Sequence, residues 1–69
     1  MKLYKEVGKK IKNTRIDRGL SREDLAELSG LSFNLIGMIE RGEVNTGIGN
    51  IYKLSKVLKI KLVEVVEGF

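Results

Sequence analysis

Four polar residues carry the recognition chemistry open to this chain: Arg15, Arg22, Asn34 and Arg41. Guanidinium and carboxamide groups grip anions and hydrogen-bonding edges, but they are poor nucleophiles and poor bases. The rest of the inventory agrees. There is no His and no Cys, so a thiolate nucleophile, an imidazole base, a zinc finger and a disulfide framework are all excluded. Asp, Glu, Lys and Tyr alone would have to run any reaction, and neither an enzyme nor a cofactor is expected. The formal charge of +4 is unevenly placed: residues 1–22 hold eight Lys/Arg against two acids, and residues 23–69 hold five against seven. Such a basic excess is the electrostatic footprint of a nucleic-acid or acidic-membrane partner, and it also fits ordinary surface charge.

At 69 residues the chain makes one small domain, residues 1–69. Domains of this size bury only about 60% of the surface their unfolded chains expose, so little interior is left for an enclosed pocket. Function must then lie on the surface. The longest uncharged run, Gly30 to Ile39, is too short to span a bilayer, and no charged-then-apolar leader opens the sequence. No membrane association and a cytoplasmic location are expected.

The elements that would position these residues can be read from spacing. Leu3, Val7 and Ile11, continued by Thr14, predict a first helix over about Leu3 to Arg18, with Gly19 as its stop. Ser21 can cap a second helix over Arg22 to Ser29, with Asp24 completing a short-armed capping box and Gly30 ending it. Ser32 caps a third helix whose Ile36 and Ile39 face inward and which Gly42 closes. Two short helices joined by so brief a Gly-containing turn must cross steeply, which is a helix-turn-helix, here about residues 21–42. Ile48, Ile51, Leu54 and Leu58 mark a fourth helix from Thr46 onward, with Ser55 a small residue in the stripe. The tail from Ile60 fits neither a clean helical nor a clean strand period; a short fifth helix is preferred, with a strand second. The fold class is all-α.

Val7-Gly8-x-x-Ile11, Arg15-x-x-x-Gly19-Leu20-Ser21, Leu25-Ala26-x-x-x-Gly30-Leu31-Ser32 and Ile36-x-x-Ile39-Glu40-Arg41-Gly42 together resemble the Xre-like helix-turn-helix family of phage repressors, Cro proteins and restriction-modification controller proteins. The resemblance runs from about Val7 to Val66. It implies a compact five-helix, lambda-repressor-like DNA-binding domain with its third helix in the major groove, working as a homodimer on a palindromic operator. It also implies that Ala26 and Gly30 let the two motif helices approach, and that Arg15 and Glu40 form an ion pair between the first and third helices, with Arg15 also near phosphate.

By the same resemblance, base readers occupy the face of the third helix opposite its core residues: Phe33, Asn34, Gly37 and Met38, with Arg41 at the end. Asn34 could pair with adenine in bidentate fashion, Phe33 and Met38 could meet thymine methyl groups, and Gly37 would allow close backbone approach. An A·T-rich half-site follows. A glycine inside a helix costs on the order of 1 kcal/mol against alanine, so Gly37 calls for a packing or contact reason. Phosphate contacts are expected from Arg15, Ser21, Arg22, Ser32, Arg41, Asn45 and Thr46. Arg22 stands where the family usually has Gln, and Val44 and Thr46 where many members have Arg and Pro. Lys2, Lys5, Lys9 and Lys12 form a basic stripe, which at ~100° per residue centres opposite Leu3, Val7 and Ile11. It is expected to point away from the bundle and contribute diffuse attraction.

A lone recognition helix rarely reaches the roughly 10⁻⁸ to 10⁻¹¹ M of specific regulators, which favours a dimer. Residues 59–69 are the expected seam. Leu62, Val65 and Val66 match family core positions, while Val63 and Phe69 are surplus apolar groups; Tyr52, Val63, Val66 and Phe69 are the candidate dimer contacts. Lys59 replaces a glycine common at the end of the fourth helix, which is strained if its φ is positive. The function expected is that of a transcriptional regulator binding double-stranded DNA, nucleoid-associated when bound. The alternative is a protein-interaction module, such as an antitoxin or regulatory partner, using the apolar surface of Phe33, Met38 and Leu35 on a protein.

Overall fold

The computed structural model describes the backbone of residues 2–66 as five helices: α1 (Lys2–Asp17), α2 (Arg22–Ser29), α3 (Phe33–Glu40), α4 (Gly47–Leu58) and α5 (Leu62–Val66). There is no strand among the described residues, and the tail takes the helical option. The side chains of Leu3, Leu62 and Val66, and the whole of Phe69, lie outside the described residues. No described helix is long and apolar enough to cross a membrane.

One apolar residue set closes the bundle. Ile11, Leu25, Ile36, Ile39, Ile51, Leu54, Leu58 and Val65 form a single buried cluster to which every helix contributes. Four of the five helices are amphipathic stripes too short to persist alone in water, so this shared burial is what holds them. Ser55, buried within the α4 stripe, donates its hydroxyl to the Tyr52 carbonyl at 2.7 Å and so costs the core no unpaired polar group.

Helix ends follow local chemistry closely. Ser21 and Asp24 make both hydrogen bonds of a capping box: Ser21 Oγ accepts from the Asp24 N–H at 2.9 Å, and Asp24 Oδ2 accepts from the Ser21 N–H at 3.0 Å. Gly30 ends α2 at φ 76°, where a side chain would be strained. α1 stops one residue earlier than the spacing predicts. The Arg18 N–H is shared between the Thr14 and Arg15 carbonyls, and the Leu20 N–H returns to Arg15 O at 3.1 Å, which tightens the last turn. Arg18 instead reaches across the molecule, donating from Nε to the Leu58 carbonyl at 2.9 Å and so capping the end of α4.

Two sequence expectations need correction. Ile48 was assigned to the buried stripe of α4, but it is 63% exposed. It sits in the first turn of α4, and Val44, from the loop before it, packs against the core instead. The lysine stripe of α1 is exposed at Lys5, Lys9 and Lys12, yet it does not point into empty solvent: these residues line a groove with Glu40 and Arg41 of the α3 end. The reason is where α3 docks. It lies against α1 at Gly8 and Arg15, which are about 80–100° around the helix from Val7, so Lys12 is only about 60° further on. Gly8 makes this docking possible, since a Cβ there would overlap the Ile39 carbonyl oxygen and lie 2.8 Å from Glu40 O.

Two stability measurements test this reading. Gly8→Ala should be destabilising by about 1–3 kcal/mol, the usual cost of overpacking, in urea denaturation monitored by circular dichroism. Lys59, the one non-glycine residue with positive φ (59°) among those described, should gain up to about 1 kcal/mol on Lys59→Gly, because the left-handed conformation costs a side chain roughly 1–2 kcal/mol and glycine returns part of that as unfolded-chain entropy. A lowered melting temperature for Lys59→Gly would contradict the strain.

Candidate nucleic-acid interface

The inner face of α3 is fixed by Ile36 and Ile39, both buried against Leu25 of α2 and the rest of the core. Its outer face is therefore exposed by default. Phe33 is 47% exposed and Met38 37%, and Asn34 is open to solvent. Leu35 is different: it is half-buried and packs against the core, so it adds little to an external apolar surface. Ser32 caps the helix, its Oγ accepting from the Leu35 N–H at 3.0 Å.

Beneath this face lies a buried charge. Glu40 receives two hydrogen bonds from Arg15, Nε to Oε2 at 2.7 Å and Nη2 to Oε1 at 3.3 Å, and Arg15 Nη1 donates to the Leu20 carbonyl at 2.8 Å. The guanidinium is spent on internal partners and Arg15 is only 8% exposed. The structure thus seats Arg15 inside the bundle, away from the surface where a phosphate would approach.

Arg22 approaches the same carboxylate from the other side, with Nε 3.8 Å from Glu40 Oε1. Its guanidinium also lies over the Phe33 ring, 5.6 Å from the centroid. A residue from the first turn of α2 is thereby laid across the exposed face of α3. Gly37 provides the room. It is buried, not open as a base-contacting backbone would be, and a Cβ there would lie 3.0 Å from Arg41 Nη1 and 3.5 Å from Arg22 Nη1. The expected role of Gly37 at a base edge is corrected to a packing role: it lets two guanidinium groups converge over the middle of the helix.

Arg41 ends α3 and is exposed, its fork paired with Glu43 at 2.9 and 3.2 Å. Hydrogen bonding and charge attraction within this pair raise the Arg41 pKa and lower that of Glu43. Glu43 is absent from the sequence-derived site, although Arg41-Gly42-Glu43 places opposite charges across a turn glycine, a signal that could have found it. Asp24 is likewise held below the usual carboxylate range, chiefly by the Ser21 N–H and then by the Ser21 hydroxyl. Both carboxylates have depressed folded-state values, so their contribution is present at neutral pH and is lost as pH falls through the folded pKa.

The remaining sites spread around this centre. Ser21 and Ser32 are exposed at the starts of α2 and α3, and each keeps its hydroxyl hydrogen for an outside acceptor. Asn45 accepts from the Gly47 N–H at 3.3 Å, and Thr46 Oγ1 accepts from Asn50 Nδ2 at 2.8 Å, so both support the start of α4. Tyr52 and Val63 are exposed, Tyr52 beneath the Lys56 ammonium, 5.5 Å from its ring centroid. Among the described residues there is no group of three or more acidic residues that could hold a metal ion.

A steep α2–α3 pair on a helical core, with an exposed second helix rimmed by arginines, defines a five-helix helix-turn-helix domain. The chain belongs to the helix-turn-helix family HTH_3, whose model matches residues 11–65. It is 40% identical over 57 residues to the HTH-type transcriptional regulator PuuR of Escherichia coli (strain K12), covering 83% of this chain but 31% of PuuR, so it spans about a third of that protein's length. Among solved structures it is similar to the restriction-modification controller protein C.AhdI from Aeromonas hydrophila, with a TM-score of 0.86 and 39% identity over 90% of this chain and 94% of that one. It is also similar to SinR, a master regulator for biofilm formation solved in complex with DNA, with a TM-score of 0.83 and 31% identity over 88% and 98% of the two chains.

The buried pair makes a sharp prediction. Glu40→Ala should cost roughly 3–5 kcal/mol, because it strands Arg15 without its counter-charge, and the double variant Arg15→Met/Glu40→Leu should cost less than the two single losses added together. Chemical denaturation of the three variants decides it; simple additivity would mean that the two residues act independently.

Proposed function

We propose that the protein is a sequence-specific regulator of transcription that binds double-stranded DNA as a homodimer on a palindromic operator, with α3 in the major groove. The observation that carries this is the outer face of α3, kept free of the core and bordered by Arg22 and Arg41. Likeness to PuuR, C.AhdI and the DNA-bound SinR supports it. In this reading Asn34 reads an adenine, Phe33 and Met38 meet thymine methyl groups, and Gly37 acts indirectly by seating the arginines. Ser21, Arg22, Ser32, Arg41, Asn45 and Thr46 hold phosphates; Arg15 acts from inside by fixing α3. Tyr52 and Val63 contribute to the dimer seam, together with Val66 and Phe69 of the tail. The protein works in the cytoplasm, associates with the nucleoid when bound, and catalyses no reaction.

A second reading rests on one observation, the exposed Phe33 and Met38 in the middle of the same face, which suit a protein partner as well as thymine methyl groups. Selection from a random duplex library separates the two. An enriched two-fold motif is expected; Asn34→Ala should relax discrimination at one A·T pair by roughly 1–3 kcal/mol, while Arg22→Ala should weaken binding to all duplexes alike and flatten its salt dependence. Enrichment of no motif would transfer the function to protein binding.

A further inference from the structure

The groove between α1 and the C-terminal end of α3 is lined by Lys5, Lys9, Lys12, Asn13, Glu40 and Arg41 and has a volume of about 600 Å³. We propose that it is a second DNA-backbone site, taking phosphates that flank the bases read by α3. This rests on the DNA-binding reading above and extends it to a surface that α1, not the helix-turn-helix, supplies.

Four features point to a phosphate chain as the occupant. First, none of the lining residues is apolar, whereas protein interfaces and small-molecule pockets are built around apolar anchors. Second, the acid in the groove is already neutralised: Glu40 is held by Arg15 at 2.7 Å and faced by Arg22 at 3.8 Å. Lys5, Lys9 and Lys12 have no carboxylate within ion-pairing distance among the described residues, so all three ammonium groups face solvent unspent.

Third, the spacing suits a nucleic-acid strand. From Lys5 to Lys12 is seven residues, about 10.5 Å of helix rise, and a DNA strand carries a charge every 3.4 Å or so of axis; about three phosphates therefore face three lysines. Ammonium groups on flexible stems are point charges without the planar fork that reads a base edge, which suits them to backbone. Fourth, the groove is continuous with the proposed reading surface. Arg41 ends α3 and also lines the groove, with its Nη1 3.0 Å from where a Cβ at Gly37 would lie. A strand leaving the α3 face past Arg41 would run directly along Lys5, Lys9 and Lys12.

The test is a salt titration of the full chain on its selected operator, in a long duplex and in one trimmed to the two half-sites. The variant is Lys5→Ala/Lys9→Ala/Lys12→Ala, whose replacements favour helix. A charge-matched control, Lys10→Ala/Lys53→Ala/Lys61→Ala, removes three exposed lysines outside the groove. Wild-type protein should lose affinity when the flanks are trimmed, and the groove variant should not. In the long duplex the groove variant should lower the log–log salt slope by about 2.7, at about 0.9 per phosphate, while selecting the same motif. The slope of the control should change far less. An unchanged slope, an equal change in the control, or a change in the selected motif overturns the proposal while leaving the reading by α3 in place. Failure of wild-type protein to select any motif overturns both.

Discussion

Burying Glu40 constrains everything around it. A carboxylate removed from water is tolerated only with a counter-charge and satisfied hydrogen bonds, and Arg15 supplies both from a different helix. Because the two partners lie 25 residues apart in sequence, their pairing fixes how far α3 can slide or roll on α1. The third donor, from Arg15 Nη1 to Leu20 O, ties the same guanidinium to the chain that leads into α2. One ionic contact thus links α1, the approach to α2 and the end of α3. It can be this short only because Gly8 has no side chain to hold α1 off the last turn of α3. A pair of methyl-bearing residues could have supplied more burial energy, but not the directional fit that holds one helix face outward.

The same carboxylate reaches the surface through Arg22. With Nε 3.8 Å from Glu40 and its guanidinium over Phe33, this side chain is restrained on two sides before any ligand arrives, which lowers the entropy lost when it binds. Gly37 belongs to this arrangement. Its cost in helix propensity is met by the space it leaves for Arg22 and Arg41, which any larger residue would have to displace. A helix with few polar side chains of its own thereby acquires cations from its neighbours.

What could be read from the residues was whatever is decided within a few positions of chain. The capping box at Ser21 and Asp24, the left-handed Gly30 and the inward Ile36 and Ile39 depend on local geometry and period, and the structure has them as the sequence implies. What could not be read depends on where one helix meets another. Ile48 keeps perfect helical phase with Ile51, yet it begins α4 where Val44 already covers the core. The lysine stripe is correctly phased away from Val7 and Ile11, but α3 docks off to one side, at Gly8 and Arg15, and so comes to border it. Gly37 signalled that something was needed there without saying what. In each case the angle on its own helix was right and the position of the partner helix was missing, which a single sequence does not encode locally.

The charge distribution now has a geometric explanation. The excess of positive charge in residues 1–22 comes from two groups with different work: Arg15 and Arg22 converge on one buried carboxylate, while Lys5, Lys9 and Lys12 remain unpaired among the described residues at the rim of the same junction. The first group offsets an internal charge and so adds little to the external field. The second faces water, where its attraction for an anion is screened over about 10 Å at ordinary salt and acts only on what already lies close. Whatever α3 holds against this domain is therefore also brought within range of the lysines, because Arg41 joins the two surfaces. The basic α1 and the outward face of α3 are parts of one electrostatic surface, and the Arg15–Glu40 contact sets the angle between them.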